Sequence, residues 1–63
     1  MIKVSVFSNK RIIIENYKSI LDISDNKIIV DQYNILGSNL SIKLMNKHML
    51  DIYGVVNNIE ISS

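Results

Sequence analysis

Cysteine, proline, tryptophan and alanine are all missing from this chain of 63 residues, and histidine occurs once. Without cysteine no disulfide can staple the fold, and the chain is compatible with a reducing cytoplasm. Structural zinc is held by cysteine and histidine together, so His48 alone does not make a site. Proline and glycine are the usual punctuation of loops; here there are only Gly37 and Gly54. They stand too far apart to form a glycine-rich phosphate loop. Apolar runs are short. Ile12-Ile13-Ile14 is as long as they get, against the roughly 20 residues that span a bilayer. Met1 leads into an alternating pattern rather than a charged stretch followed by an apolar core, so no signal peptide is expected. Net charge is +1, with lysines scattered among acids. No basic stripe is present of the kind that neutralises phosphates, which argues against nucleic acid as the partner.

What remains is rich in β-branched residues. There are 13 isoleucines and 5 valines. Such side chains are stiff at χ1 and suit a pleated surface, while alanine, the best helix former, is absent. Period-two alternation follows. Ile2, Val4 and Val6 share one face of a first strand. Ser8-Asn9-Lys10 reads as a turn, and Arg11 to Glu15 as the returning strand of a hairpin. Asn16 to Ser19 breaks the pattern before a strand over Ile20 to Ile23. A helix over Tyr17 to Ile23 would be short, uncapped and without alanine. Ser24-Asp25-Asn26 is a turn, Lys27 to Tyr33 a strand, and Asn34 a short break. From Leu40 to Leu44 the alternation is clean, with Gly37 just ahead of it as a bend. Met45 to His48 turns the chain into Met49 to Tyr53. Gly54 marks another bend before Ile59 to Ile61.

The expected fold is therefore all-β. About six short, mostly antiparallel strands form a small meander, roll or sandwich, in a single domain over 1–63. The segments beginning Ile35-Leu36-Gly37 and Ile52-Tyr53-Gly54 share a form: apolar, x, glycine, polar residues, then apolar-x-apolar. They read as two similar bends of a meander, or alternatively as two rungs of a short β-solenoid.

The chemical inventory is thin. General acid–base work needs two titratable groups held at one reacting atom. Glu15, Asp22, Asp25, Asp31, Asp51 and Glu60 fall mostly in turns or at outward strand positions. Asp51, between Leu50 and Ile52, is expected on the solvated face. His48 sits in a polar turn, and no serine is paired with it by local spacing. No catalytic, metal or cofactor-binding residue is nominated, and the chain is expected not to be an enzyme. The aromatics Phe7, Tyr17, Tyr33 and Tyr53 suit the rim of a core or an interface. Open sheet edges invite pairing with another chain. A domain this short buries only about 60% of its unfolded surface, so self-association or docking on a larger protein is expected.

Val6 to Ile20, and above all Ile14-Glu15-Asn16-Tyr17-Lys18, resembles the YabP/YqfC family of small sporulation proteins. Gly37-Ser38-Asn39-Leu40-Ser41-Ile42 is similar to that family's Gly-Lys-Asn-Leu-x-Ile motif, and Ile52 to Ile61 resembles its apolar-x-Gly-x-Ile-x-x-Ile-Glu ending. Order and spacing agree from Ile2 to Ile61. Ser19 stands where the family favours glycine, and the chain is shorter at its N-terminus than most members. The resemblance implies a non-enzymatic role in endospore formation in Gram-positive bacteria. The protein would act in the mother-cell cytoplasm or at the forespore surface, with protein partners that include membrane proteins of the sporulation programme. It also nominates Glu15, Asn16, Tyr17, Lys18, Gly37, Asn39, Leu40 and Gly54 as interface or motif residues. A generic β oligomerisation or scaffold domain is the alternative, and a small nucleic-acid-binding β-barrel a more distant one.

Overall fold

Alternating β-branched residues need a partner strand for their backbone groups and a second layer for their apolar face. The computed structural model describes residues 1–62 and meets both needs with one antiparallel sheet. Its strands are β1 (Lys3–Ser8), β2 (Arg11–Glu15), β3 (Ile20–Ile23), β4 (Lys27–Val30), β5 (Tyr33–Met45) and β6 (Met49–Ile61). The spatial order is β1-β2-β6-β5-β4-β3. Every pairing is antiparallel. The all-β expectation holds, and the antiparallel pairing excludes the solenoid alternative. Tyr17 to Ile23 forms no helix; its second half is β3.

Two strands are longer than expected. β5 and β6 each run 13 residues. Straight strands of that length would span about 43 Å, yet the longest dimension of the molecule is 26 Å. Both strands therefore bend sharply, and the bend is written in the register. Asn39 and Leu40 together stand opposite Gly54, and Asn57 is extra between the pairs Leu36↔Asn58 and Gly37↔Val56. These are β-bulges, which bend a strand and increase its twist.

The bend folds the sheet over itself and closes the core. Ile12 and Ile14 of β2 and Leu50 and Ile52 of β6 come from one side. Ile28 and Val30 of β4 and Ile35 of β5 come from the other. All seven are fully buried. Leu40, at the bend itself, completes the cluster.

The two halves are built alike. Gly54 N–H donates to the Lys10 carbonyl at 3.2 Å, and Val56 N–H to that of Asn9 at 2.6 Å. On the other side Gly37 N–H donates to the Asn26 carbonyl at 3.0 Å, and Leu40 N–H to that of Asp25 at 2.8 Å. Each hairpin tip thus docks on the strand segment just past one glycine. The sequence similarity around Gly37 and Gly54 is that of two bends in a meander.

One turn differs from expectation. The strand beginning at Lys27 ends at Val30, and the chain reverses at Asp31-Gln32, so that Asn34 lies inside β5. Asp31 takes φ 52°, a left-handed conformation that short polar side chains tolerate better than others.

Candidate functional site

The nominated residues fall at two separate corners. Glu15 closes β2, opposite Lys3 on one side and Met49 on the other. Asn16 then takes φ 60°, and its N–H donates to the His48 carbonyl at 2.8 Å. Tyr17 donates its hydroxyl to the Asn46 carbonyl. The Lys18 N–H reaches both Asp31 oxygens, at 3.2 and 3.1 Å, and the Ser19 N–H reaches Asp31 Oδ1 at 2.9 Å. One carboxylate thereby holds the crossing from β2 to β3. Ser19 has an ordinary negative φ; Asn16 carries the left-handed residue of this corner. Position 19 therefore places no demand for glycine on the backbone.

The second corner joins Gly37, Asn39, Leu40 and Gly54, which the structure does bring together. A Cβ on Gly54 would lie 2.5 Å from the Asn39 carbonyl oxygen and 2.8 Å from Leu40 Cα, at a φ of +136°. A Cβ on Gly37 would lie 2.0 Å from the Val55 carbonyl oxygen. Only glycine lets the two bent strands approach this closely. Asn39 adopts φ 54°. The first corner ties the β2–β3 crossing to Asp31, Asn46 and His48. The second receives the hairpin tips at Asn9-Lys10 and Asp25-Asn26. The nominated residues therefore make two structural corners and not one site.

A third feature is absent from the nominations. Asp51, expected to be solvated, is only 8% exposed. It does lie on the face opposite Leu50 and Ile52, but Arg11 covers it. Arg11 Nε and Nη2 donate to Asp51 Oδ1 and Oδ2, each at 3.1 Å. The guanidinium carbon lies 5.2 Å from the ring centres of both Phe7 and Tyr53, within cation–π range. The hydrogen bonds to Asp51 hold the Arg11 proton more tightly than usual, against a smaller opposing effect of desolvation. The cross-strand pairs are Arg11↔Tyr53 and Ile13↔Asp51, so this cluster covers the outer face of β2 and β6. No local motif announces it, because Phe7, Asp51 and Tyr53 reach Arg11 from the neighbouring strands β1 and β6.

An open cleft of about 710 Å³ lies between Ile2, Asn16, Lys18, Asp31, Gln32 and Ser62. The Asp31 carboxylate there is already engaged by backbone N–H groups. Among the described residues no group of three or more His, Cys, Asp or Glu could hold a metal ion. No helix there is long and apolar enough to cross a membrane.

The edges of the sheet remain. β1 and β3 each have a neighbour on one side only. Both carry large apolar side chains in solvent: Val6 is 57% and Phe7 61% exposed on β1, Leu21 65% and Ile23 52% on β3. β1 contains Lys3 as its only charge, and β3 contains Asp22 as its only charge. No protein-family model, no curated protein and no solved structure matches the chain.

Proposed function

We propose that this protein is a non-enzymatic binding and assembly module of spore formation, working through the open edge strands β1 and β3 of its sheet. The observation that carries the reading is the apolar exposure at Val6, Phe7, Leu21 and Ile23 on the edge strands. Edge strands offer unpaired N–H and C=O groups to an extended segment, and exposed apolar side chains beside them add specificity and affinity. Partners are proteins, including a membrane protein of the sporulation programme and further copies of the chain. Spore formation as the context is supported by the motif resemblance at Ile14 to Lys18, Gly37 to Ile42 and Ile52 to Ile61. The place of action is the mother-cell cytoplasm or the forespore surface.

The test is genetic. Deleting the gene in its endospore-forming host is expected to lower the count of heat-resistant spores, and the wild-type gene to restore it. Genes carrying Val6→Lys or Ile23→Lys are expected to restore it poorly. Unchanged spore yield on deletion would sink the sporulation context. Full rescue by both edge variants would sink the role of the edges.

A further inference from the structure

We infer that the protein docks on anionic lipid surfaces through the outer face of one of its two layers. The inference goes beyond the edge-strand reading and does not depend on it. Along the chain the charges are scattered, but the fold sorts them. One layer holds β1, β2, residues 41–45 of β5 and residues 49–53 of β6. With its turns it carries Lys3, Lys10, Arg11, Lys43 and Lys47 against Glu15 and Asp51, five basic and two acidic side chains, for a formal charge of +3. The other layer holds β3, β4, residues 33–37 of β5 and residues 55–61 of β6. With its turns it carries Lys27 against Asp22, Asp25, Asp31 and Glu60, one basic and four acidic side chains, for a formal charge of −3. Lys18, in the crossing between the layers, brings the total to the net charge of +1.

Local pairing leaves this asymmetry in place. Arg11 is held by Asp51 and Lys3 stands opposite Glu15, so these four charges cancel within their own layer. Lys10, Lys43 and Lys47 remain, all exposed, and neither salt bridge among the described residues involves them. On the opposite layer Lys27 pairs with Asp22, and Asp25, Asp31 and Glu60 remain. The molecule therefore turns three unpaired lysines one way and three carboxylates the other. An oriented charge distribution of this kind steers one face towards an anionic surface.

The lysine layer also presents apolar side chains outward. The pairs Ile42↔Ile52 and Leu44↔Asp51 leave Lys43 as the extra residue of a bulge. Leu44 accordingly shares the outer face with Asp51 and is 46% exposed. Phe7 lies on the same face, beside the Arg11 guanidinium, and is 61% exposed. Apolar exposure alone does not choose a layer, because Leu21 of β3 is exposed as well; the charge does. Nucleic-acid phosphates would pair with the lysines and leave Phe7 and Leu44 in water. Lipid headgroups take the lysines while the apolar side chains enter the boundary with the acyl chains. With three free lysines and two apolar contacts, the docking is weak, reversible and sensitive to salt.

Vesicle binding by the full chain tests the inference. Vesicles of phosphatidylcholine with roughly one third phosphatidylglycerol supply anionic headgroups; vesicles of phosphatidylcholine alone do not. Co-sedimentation is expected to retain the protein on the anionic vesicles only, and added salt to release it as screening shortens the reach of surface charge. Lys43→Gln and Lys47→Gln are each expected to weaken binding about fivefold, the factor for one basic residue at such a surface. Lys27→Gln removes the same charge from the opposite layer and is expected to leave binding nearly unchanged. Leu44→Ser removes an apolar contact and no charge, and is expected to weaken binding at every salt concentration. All four positions lie on the surface, and circular dichroism checks that each variant folds. No binding to anionic vesicles at low salt, equal binding to uncharged vesicles, an equal loss in Lys27→Gln, or wild-type binding by Leu44→Ser would each overturn the inference. Tighter binding to an oligonucleotide than to anionic vesicles would assign the lysine face to nucleic acid and overturn it too.

Discussion

Arg11 and Asp51 lie 40 positions apart in the chain and meet through two parallel hydrogen bonds on the outer face of the sheet. The pairing of β2 with β6 creates this contact, because it sets Arg11 beside Tyr53 and Ile13 beside Asp51. Alternation correctly puts Asp51 on the face away from Leu50 and Ile52. What buries it is a long side chain from a neighbouring strand. Arginine suits the place because its planar fork matches a carboxylate while its faces stack on aromatic rings.

Arg11→Lys keeps the charge but loses both the fork and the stacking on Phe7 and Tyr53. It is expected to lower the melting temperature more than Asp22→Asn does. Asp22 pairs with Lys27 at 3.8 Å in an exposed setting, where a loss within about 0.5 kcal/mol is expected. Replacing Arg11 and Asp51 together by leucine should recover part of what either single leucine change loses, because neither charge is then left without its partner. Thermal melts of these variants, with the two single leucine changes beside the double one, check this. An Arg11→Lys melt that overlays the wild type would show that the fork contributes nothing.

The glycines of the bend give a sharper expectation. Gly54→Ala meets the Asn39 carbonyl and Leu40 Cα at a positive φ, and Gly37→Ala meets the Val55 carbonyl. All of these are backbone atoms that cannot turn aside. Strain of this kind costs on the order of 1–3 kcal/mol. The core of a domain this small supplies roughly 3–5 kcal/mol. Either variant is therefore expected to lose a large share of its stability and to melt well below the wild type, which far-UV circular dichroism reads directly. A cooperative melt at the wild-type temperature would contradict the close approach of β5 and β6.

Strand identity was legible because the isoleucines and valines alternate, and the first hairpin, β3 and the faces of Leu40 and Ile42 follow from that. The continuity of β5 and β6 was not. Gly37 and Gly54 read as places where a strand bends or stops, and only their contact across the ladder shows that both strands carry on. The turn at Asp31-Gln32 had a cue in Asp31, a residue that tolerates left-handed backbone. The apolar run from Ile28 to Val30 masked it. The Arg11–Asp51 pair could not be read locally, because it depends on which distant strand lies next to β2. The residues that the motif resemblance nominates lie at two corners of the backbone, a placement that no motif of residue types conveys.

Asp31 offers a test of one such corner. Asp31→Ala removes the acceptor of the Lys18 and Ser19 N–H groups and places alanine at φ 52°. A destabilisation of about 1–2 kcal/mol is expected, near that of a lost helix cap. Asn16→Gly, at φ 60°, should be close to neutral, because glycine adopts this conformation readily. Chemical denaturation of both variants measures the difference, and equal stability would remove the special role of the Asp31 carboxylate.

The isoleucines of the core and of the edge should behave oppositely. Ile52 is fully buried between the layers, whereas Ile23 stands at the open margin of β3. Ile52→Ala removes buried methyl and methylene groups and leaves a cavity, at a cost of about 2–5 kcal/mol. That is comparable to the whole stability expected here, so the variant should be largely unfolded without denaturant. Ile23→Thr keeps β-branching at an exposed position and should change stability by no more than about 0.5 kcal/mol. The same change reduces the apolar surface available to a neighbouring strand. Urea titrations followed by circular dichroism should therefore show an unchanged midpoint for Ile23→Thr, while sedimentation at high concentration shows less assembly. Loss of stability in Ile23→Thr would place this residue within the monomer's own core and remove it from the contact between copies.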